Sequence, residues 1–205
     1  MARRVYAVDI DGVLACFTKG CFDVAKKMGF SLPEGLDFSD DLRDRATWSV
    51  ENLFGLTRAD LPAVYDAISK ESNFWEELPV IEEARQYAPS LCELCASSVV
   101  YFITARFQSV GRDVHDQTRW WLQSKLNIDP ECCNVLVVTG GGDKSAVVEL
   151  LGCAAIIEDK PSTLSALTQI SGLKVFAPPT PYTTLRGVDT SGLPGFLYYC
   201  FQHRA

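Results

Sequence analysis

The chain has 205 residues, of which 47% are hydrophobic, and this length fits one domain with a modest insertion at most. Its formal net charge of −7 argues against a general nucleic-acid-binding protein, because such a protein needs a basic face. No apolar run reaches about 18 residues and no signal-peptide core follows the basic start of the chain, so we expect no membrane partner. We therefore predict a cytoplasmic protein. The net charge does not exclude an anionic small molecule as its ligand, and we leave open whether the protein forms a homodimer.

The eight cysteines do not form a recognisable zinc set. Cys92 and Cys95 have C-x-x-C spacing, but they fall in a predicted helix, and no second pair or nearby histidine completes four ligands. We interpret most of the cysteines as reduced, buried thiols that behave as small hydrophobic residues. A redox or zinc role is the alternative.

Five short apolar segments are typical of buried β-strands, and helical patterns separate them. Strands that alternate with helices predict a mainly parallel sheet with helices on both faces, which is the α/β class. The predicted strands lie at 5–10, 98–104, 135–138, 154–157 and 173–176.

The segment 17–78 is helical in pattern, richer in charge and interrupted by glycine and proline. Within it, Thr57-x-x-Asp60 resembles a capping box that opens a helix through Ile68. We predict that this segment is an insertion into the α/β domain. The predicted domains are a core at 1–16 and 79–205 and a helical cap at 17–78.

The remaining helices are predicted from proline and from periodic apolar residues. A proline can occupy the first turn of a helix, whereas one in the interior kinks or splits it. The tail after Gly192 is rich in aromatic residues, and we expect it to pack on the core. The helices are predicted from Pro79 with a kink or break at Pro89, over 113–126, from about Lys144 and from Pro161.

Polar side chains follow four of the predicted strands. Because the carboxyl ends of parallel strands meet at one edge, we expect these side chains to share one crevice. Carboxylates placed close together repel each other, and a divalent cation such as Mg²⁺ relieves this repulsion. A nucleophile, a metal and donors for phosphoryl oxygens are what phosphoryl transfer requires. The residues are Asp9 and Asp11 after the first strand, Thr104 after the second, Lys144 after the third, and Glu158 and Asp159 after the fourth.

These four segments resemble, in order, the four motifs of the haloacid dehalogenase (HAD) superfamily of phosphohydrolases. That pattern has Asp-x-Asp after the first strand, Thr or Ser after the second, a Lys before a helix, and an acidic pair after a later strand. The resemblance implies a Rossmann-like α/β core with a cap, and a Mg²⁺-dependent phosphatase. Residues 9–17, 73–78, 143–145 and 181–183 further resemble the 5'(3')-deoxyribonucleotidase family.

The resemblance implies a role for each acidic residue. Asp9 would be the nucleophile that forms a covalent aspartyl-phosphate, as well as a metal ligand. Asp11 would protonate the leaving group, later activate water, and bind Mg²⁺ through its backbone carbonyl. Asp159 would be a direct metal ligand, with Glu158 beside it or acting through water.

Further residues would hold the phosphoryl group. The Thr104 hydroxyl and the Ala105 amide would donate to its oxygens, and Lys144 would neutralise its charge. The family commonly has Ser at position 105 and often has Arg at position 142, where this chain has Ala and Gly. Arg106 could replace the missing cation.

Three aromatic residues, Phe17, Phe74 and Trp75, are predicted to form a pocket for a nucleobase, or else to be ordinary packing residues. The glycines at 140–142 lack the spacing of a P-loop, and we interpret them as a loop near the site or a flexible turn. The predicted function is hydrolysis of a deoxyribonucleoside monophosphate. The alternatives are a phosphatase for a sugar or another metabolite phosphate, and a catalytically weak nucleotide-binding protein.

Overall fold

The computed structural model contains a six-stranded, entirely parallel β-sheet, which confirms the predicted α/β class. The strand order across the sheet is β3-β2-β1-β4-β5-β6. The strands are β1 (Val5–Val8), β2 (Val99–Thr104), β3 (Asn134–Val137), β4 (Ala155–Ile157), β5 (Lys174–Phe176) and β6 (Val188–Asp189). The structure describes residues 3–33, 38, 49–129, 131–132, 134–139 and 141–204.

Helices connect the strands, and a short 3-10 turn occupies Phe74–Glu76. None of the helices in the described residues combines the length and apolarity needed to cross a membrane. The helices are α1 (Phe17–Lys27), α2 (Val50–Phe54), α3 (Asp60–Lys70), α4 (Glu82–Ser97), α5 (Val114–Leu126), α6 (Gly141–Leu150), α7 (Pro161–Leu167) and α8 (Gly192–Gln202).

The sheet separates two hydrophobic cores because successive side chains of a strand point to opposite faces. On β1, Tyr6 and Val8 face the larger core, which includes residues of α1, α4, α5 and α8. Ala7, between them, faces the smaller core with residues of α6 and α7. Both faces of β1 are therefore covered, as its continuous apolar sequence predicts.

The strand β1 occupies the centre of the sheet, and Val8 pairs with Phe102 of β2 and Ile157 of β4. The backbone N–H of Asp9 then donates to the carbonyl of Ile157 at 3.0 Å. The carboxyl ends of three adjacent strands are thus aligned where the polar residues follow. The strand β2 lies on one side of β1 and β4 lies on the other, so the direction of strand order reverses at β1. Such a switch point is the usual ligand crevice of an open α/β sheet.

Several helix boundaries differ from the prediction. The helix expected from Pro79 begins at Glu82, and it continues through Pro89 without a break. The helix expected near Lys144 begins at Gly141, so Gly141 and Gly142 are in its first turn and are not a loop. Gly140 lies outside the described residues.

The helices between residues 17 and 78 have buried stripes at helical spacing, such as Cys21, Val24 and Ala25 on α1. The hydroxyl and backbone N–H of Thr57, just before α3, both donate to Asp60 at 2.7 Å. The backbone contact matches the predicted capping box, but the N-cap of α3 is Ala59, so the full box does not form. Part of the predicted cap, at 34–37 and 39–48, lies outside the described residues. The division into core and cap stays a prediction.

Candidate active site

The candidate site lies at the carboxyl edge of β1, β2 and β4 and beside the first turn of α6. Lys144 is its central cation, and its side chain is almost completely buried. The ammonium lies 2.7 Å from Asp9 Oδ1 and 2.7 Å from Glu158 Oε2. The same Asp9 oxygen accepts the backbone N–H of Ile10 at 2.7 Å. The predicted nucleophile, lysine and acidic pair are therefore in one place.

Burial makes this cluster electrostatically unusual. It raises the pKa of Asp9 well above its ordinary value, the charge of Glu158 raises it further, and Lys144 opposes both effects. Burial alone would lower the pKa of Lys144, but the carboxylates of Asp9 and Glu158 outweigh it and raise this pKa. Perturbed titratable groups at a sheet edge are typical of a functional site.

Three buried carboxylates fit a divalent cation. Ligand oxygens of Asp9, Glu158 and Asp159 all lie within 4.8 Å of one another. Lys144 supplies one positive charge against these three negative charges. Hard oxygen donors with excess negative charge suit Mg²⁺.

Gly12 is required for the position of Asp159. It has a φ of +84°, and a Cβ built there would lie 2.1 Å from Asp159 Oδ2. A larger residue would therefore be strained in its backbone and would displace the carboxylate. The Gly that follows Asp-x-Asp in the sequence is explained by this close approach.

The Asp11 carboxylate is turned toward the residues after β2 instead of joining this acidic cluster. The Thr104 hydroxyl donates to Asp11 Oδ2 at 2.8 Å. Arg106 donates from Nε to Oδ2 at 2.9 Å and from Nη2 to Oδ1 at 2.8 Å. Asp11 is therefore not brought to the cluster as a carboxylate ligand, and its expected metal contact through the backbone carbonyl stays a prediction.

Two residues that were expected to contact phosphate, Thr104 and Arg106, donate to Asp11 in this structure. The one hydroxyl proton of Thr104 is donated to Asp11, so this structure does not aim it at a phosphoryl oxygen. The guanidinium of Arg106 donates to Asp11 and Thr118, and Arg106 is not one of the residues that line the cavity at this site. Ala105 does line that cavity and is exposed, which leaves its surroundings open to a ligand.

A cavity of about 250 Å³ opens on the acidic cluster. Its polar lining includes Asp9, Asp11, Lys144, Glu158 and Asp159. This volume is near the lower end for small-molecule pockets, which suits a small ligand.

The apolar wall of this cavity is a ring of four aromatic side chains: Phe17, Tyr65, Phe107 and Trp75. Adjacent ring centroids are separated by 6.4 Å for Phe17–Tyr65, 5.9 Å for Tyr65–Phe107, 5.3 Å for Phe107–Trp75 and 5.5 Å for Trp75–Phe17. Phe74 does not line the cavity and instead packs edge-on against Phe17 and Trp75. Of the three predicted pocket aromatics, two are at the cavity and the third is behind them.

Sequence reasoning missed several lining residues. Tyr65 lies on α3, and Phe107 follows Thr104 by three residues. Glu51 on α2, Lys160 and Thr163 also line the cavity. No sequence pattern distinguishes Tyr65 or Phe107 from an ordinary packing aromatic, because the two come from separate segments that meet only in the folded chain.

Comparisons with known proteins establish the fold. The chain matches no protein-family profile, and no curated protein matches it in sequence. Solved structures do match over nearly the whole chain. A haloacid dehalogenase-like hydrolase from Streptococcus pneumoniae has a TM-score of 0.57 at 12% identity, covering 96% of this chain and 98% of its own.

Two further structures agree with that result. A subfamily IA HAD-superfamily hydrolase from Geobacter sulfurreducens has a TM-score of 0.57 at 13% identity, covering 97% of this chain and 100% of its own. YfnB from Bacillus subtilis, described as a HAD-hydrolase and bound to magnesium, has a TM-score of 0.56 at 12% identity, covering 98% and 100%. The chain therefore has the fold of the haloacid dehalogenase-like hydrolases, with a buried acidic cluster at the carboxyl edge of its sheet.

Proposed function

We propose that this protein is a Mg²⁺-dependent phosphomonoesterase of the HAD superfamily that hydrolyses a small nucleotide, a deoxyribonucleoside monophosphate. One observation carries the proposal. The buried group of Asp9, Lys144, Glu158 and Asp159 lines the same cavity as a ring of aromatic side chains. The first set suits a phosphoryl group, and the second suits a planar base.

The metal would be held by carboxylate oxygens of Asp9 and Asp159, with Glu158 beside them. A bound Mg²⁺ supplies positive charge that screens the nucleophile from the phosphoryl oxygens. Lys144 lowers the pKa of Asp9 and so favours the carboxylate form that a nucleophile needs. The same ammonium is placed to balance charge on the transferred group.

The proposed reaction has two steps. In the first, an oxygen of Asp9 forms a bond to phosphorus while the bond to the ester oxygen breaks, and Asp11 gives a proton to that leaving oxygen. In the second, water attacks the aspartyl-phosphate and gives its proton to Asp11. Phosphate then leaves and Asp9 is regenerated.

The aromatic ring supports a substrate with a planar base. Phe17 and Trp75 are stacked with centroids 5.5 Å apart and an interplanar angle of 18°. A base inserted between them would need about 7 Å, which is two contact distances of about 3.5 Å. We therefore expect the base to lie against Phe17 and Tyr65 at the cavity and not between Phe17 and Trp75.

Phosphate release from a panel of monophosphates with Mg²⁺ tests the proposal. We expect hydrolysis of dUMP or dTMP well above that of sugar phosphates, and its loss on addition of a chelator. Faster hydrolysis of sugar phosphates would contradict the nucleotide substrate. If no monophosphate is hydrolysed, the phosphatase proposal is wrong and a weak nucleotide-binding protein is favoured.

A further inference from the structure

The side chain of Arg106 is enclosed by protein, with 0% of its surface exposed, although it belongs to the loop that follows β2. Within the described part of the chain, its three hydrogen bonds all go to protein side chains. Two form a fork onto both oxygens of Asp11, and Nη1 donates to the Thr118 hydroxyl at 3.1 Å. A planar guanidinium bound in this way fixes the plane of the carboxylate that it contacts.

The guanidinium is itself fixed from two other directions. Thr118, on α5, donates its own hydroxyl to the carbonyl of Val114 at 2.7 Å, so the acceptor that Arg106 uses is oriented by the helix. The guanidinium carbon also lies 4.8 Å from the ring centroid of Trp75, within the range of a cation–π contact. The orientation of Asp11 is thus tied to α5 and to an aromatic residue of the cavity wall.

Asp11 needs this support because its carboxylate is partly exposed, at 17% of its side-chain surface. Without Arg106, the hydrogen bond from Thr104 is the one side-chain hydrogen bond to Asp11 that remains among the described residues. A single hydrogen bond leaves the carboxylate plane free to rotate. Misplacement of a proton-transferring group by about 1 Å can cost about 100-fold in rate.

We infer that Arg106 is a positioning residue, which acts through Asp11 and does not contact the substrate. Its fork holds Asp11 in the orientation needed to give a proton to the leaving oxygen and later to take one from water, and Trp75 and Thr118 hold the fork. This inference rests on the proposed function for the role of Asp11. It differs from a phosphate contact, because Arg106 does not line the cavity and its hydrogen bonds go to the side chains of Asp11 and Thr118.

Leaving-group dependence separates positioning from other roles. The leaving oxygen of dUMP is an alkoxide that requires a proton, whereas p-nitrophenolate leaves without one. In single-turnover measurements of the first step, we expect phosphoryl transfer from dUMP to Asp9 to slow about 100-fold in Arg106→Met, and release of p-nitrophenolate from p-nitrophenyl phosphate to stay within about threefold of wild type. Inhibition by inorganic phosphate should not change. Arg106→Lys keeps the charge but loses the fork, and should show the same selective loss.

Arg112→Met is the matched control, because Arg112 is in the same loop but pairs with Glu76 and is half exposed. It should leave both rates at the wild-type level. Equal losses in the first-step rate for the two esters in Arg106→Lys would indicate a purely structural role and overturn the inference. Weaker inhibition by phosphate would also overturn it, in favour of a phosphate contact.

A crystal structure of Arg106→Lys decides the positioning role independently of activity. We expect the Asp11 carboxylate to rotate away from its position in the wild-type protein. An unchanged Asp11 would overturn the inference. If the wild-type protein hydrolyses neither ester, the proposed function fails, and the orientation of Asp11 in the variant still decides whether Arg106 positions it.

Discussion

The ammonium of Lys144 lies 2.7 Å from Asp9 Oδ1, and both side chains are at least nine-tenths buried. Such a pair is costly to bury, because each charge loses its hydration. Glu158 shares the ammonium, and Asp159 adds a third carboxylate nearby. The protein thus concentrates charge where a hydrophobic cluster would be more stable, which is typical of sites selected for chemistry.

Replacing Asp9 by asparagine removes the proposed nucleophile while keeping its shape. We expect phosphate release to fall below about one-thousandth of the wild-type rate, because both proposed steps need the carboxylate. Thermal stability without metal should not decrease, since one of three crowded negative charges is removed. The control is Asp66→Asn, which changes an exposed carboxylate paired with Lys70 on α3. A near-normal rate in Asp9→Asn would rule out the covalent route.

Replacing Lys144 by methionine should destabilise the protein in a pH-dependent way. Losing one partner of a buried ion pair costs about 3–5 kcal/mol. Lys144 also lowers the pKa of Asp9, so its removal raises a folded-state pKa that already exceeds the ordinary carboxyl value of 3.8. A carboxyl with a raised folded pKa binds its proton more tightly in the folded state, so stability is lost as the pH rises from 3.8 through that pKa.

We therefore expect the deficit of Lys144→Met to be larger at neutral pH than at mildly acidic pH. Urea unfolding across this range, in the presence of a chelator, measures it. Lys125→Met, which removes an exposed lysine on α5, should show no such trend. A deficit that is the same at every pH would mean that lost packing, and not charge, explains the effect.

The strand ends were predictable from the sequence because each signal is local. A buried parallel strand is a short apolar run, and the polar residue that ends it, such as Asp9 or Thr104, follows directly. The parallel sheet then brings these residues together without further information. The prediction failed where a local preference competed with the fold, as at Gly141, where low helix propensity suggested a loop but a helix begins.

The contacts of Arg106 could not be predicted in the same way. Arg106 and Asp11 are 95 residues apart, and their pairing depends on the direction of two side chains beyond the ends of adjacent strands. The aromatic wall has the same limitation, since Tyr65 and Phe107 come from separate segments that meet only in the folded chain. Charge and aromatic character indicate that a residue has a function, but tertiary packing decides its partner.

Gly12 and Gly29 have the same backbone conformation, so a comparison of their alanine variants distinguishes backbone strain from an effect on metal binding. Gly12 and Gly29 have φ values of +84° and +87°, but a Cβ at Gly12 would collide with Asp159, whereas one at Gly29 would meet nothing within 4 Å. Alanine at either position should cost about 1–2 kcal/mol through left-handed strain. In Gly12→Ala we also expect loss of the increase in melting temperature that Mg²⁺ gives to the wild-type protein.

Calorimetry with Mg²⁺ and with a chelator measures that increase, which corresponds to about 2.7 kcal/mol when the metal is at 100 times its dissociation constant. Gly29→Ala should keep the full response. A Gly12→Ala protein that responds to Mg²⁺ as the wild type does would exclude Asp159, in its present position, as a metal ligand.

The aromatic wall offers a paired test of substrate recognition. Phe17 lines the cavity, whereas Phe74 packs behind it. Phe17→Leu should raise KM for dUMP about tenfold, because stacking on a base contributes about 1–3 kcal/mol. KM for a sugar phosphate should not change, and Phe74→Leu should lower stability without changing the ratio of the two KM values. An equal change for both substrates in Phe17→Leu would argue against base stacking.

The phenol of Tyr65 should ionise at a higher pH than an ordinary tyrosine, because burial raises its pKa to about 12, with smaller contributions from Cys21 and Glu51. A raised folded pKa means that the favourable contribution of Tyr65 is present below its ordinary value of 10.0 and is lost as the pH rises toward 12. Spectrophotometric titration should therefore show late-ionising tyrosines, among them Tyr6, whose pKa burial also raises, and Tyr65→Phe should reduce the late absorbance change by one tyrosine. Unfolding measurements should show a shallower loss of stability over this window in the variant.

Tyr198→Phe, at a tyrosine that is 68% exposed, is the control and should leave the late transition in place. If the late absorbance change is as large in Tyr65→Phe as in the wild type, the phenol at the cavity wall is not desolvated.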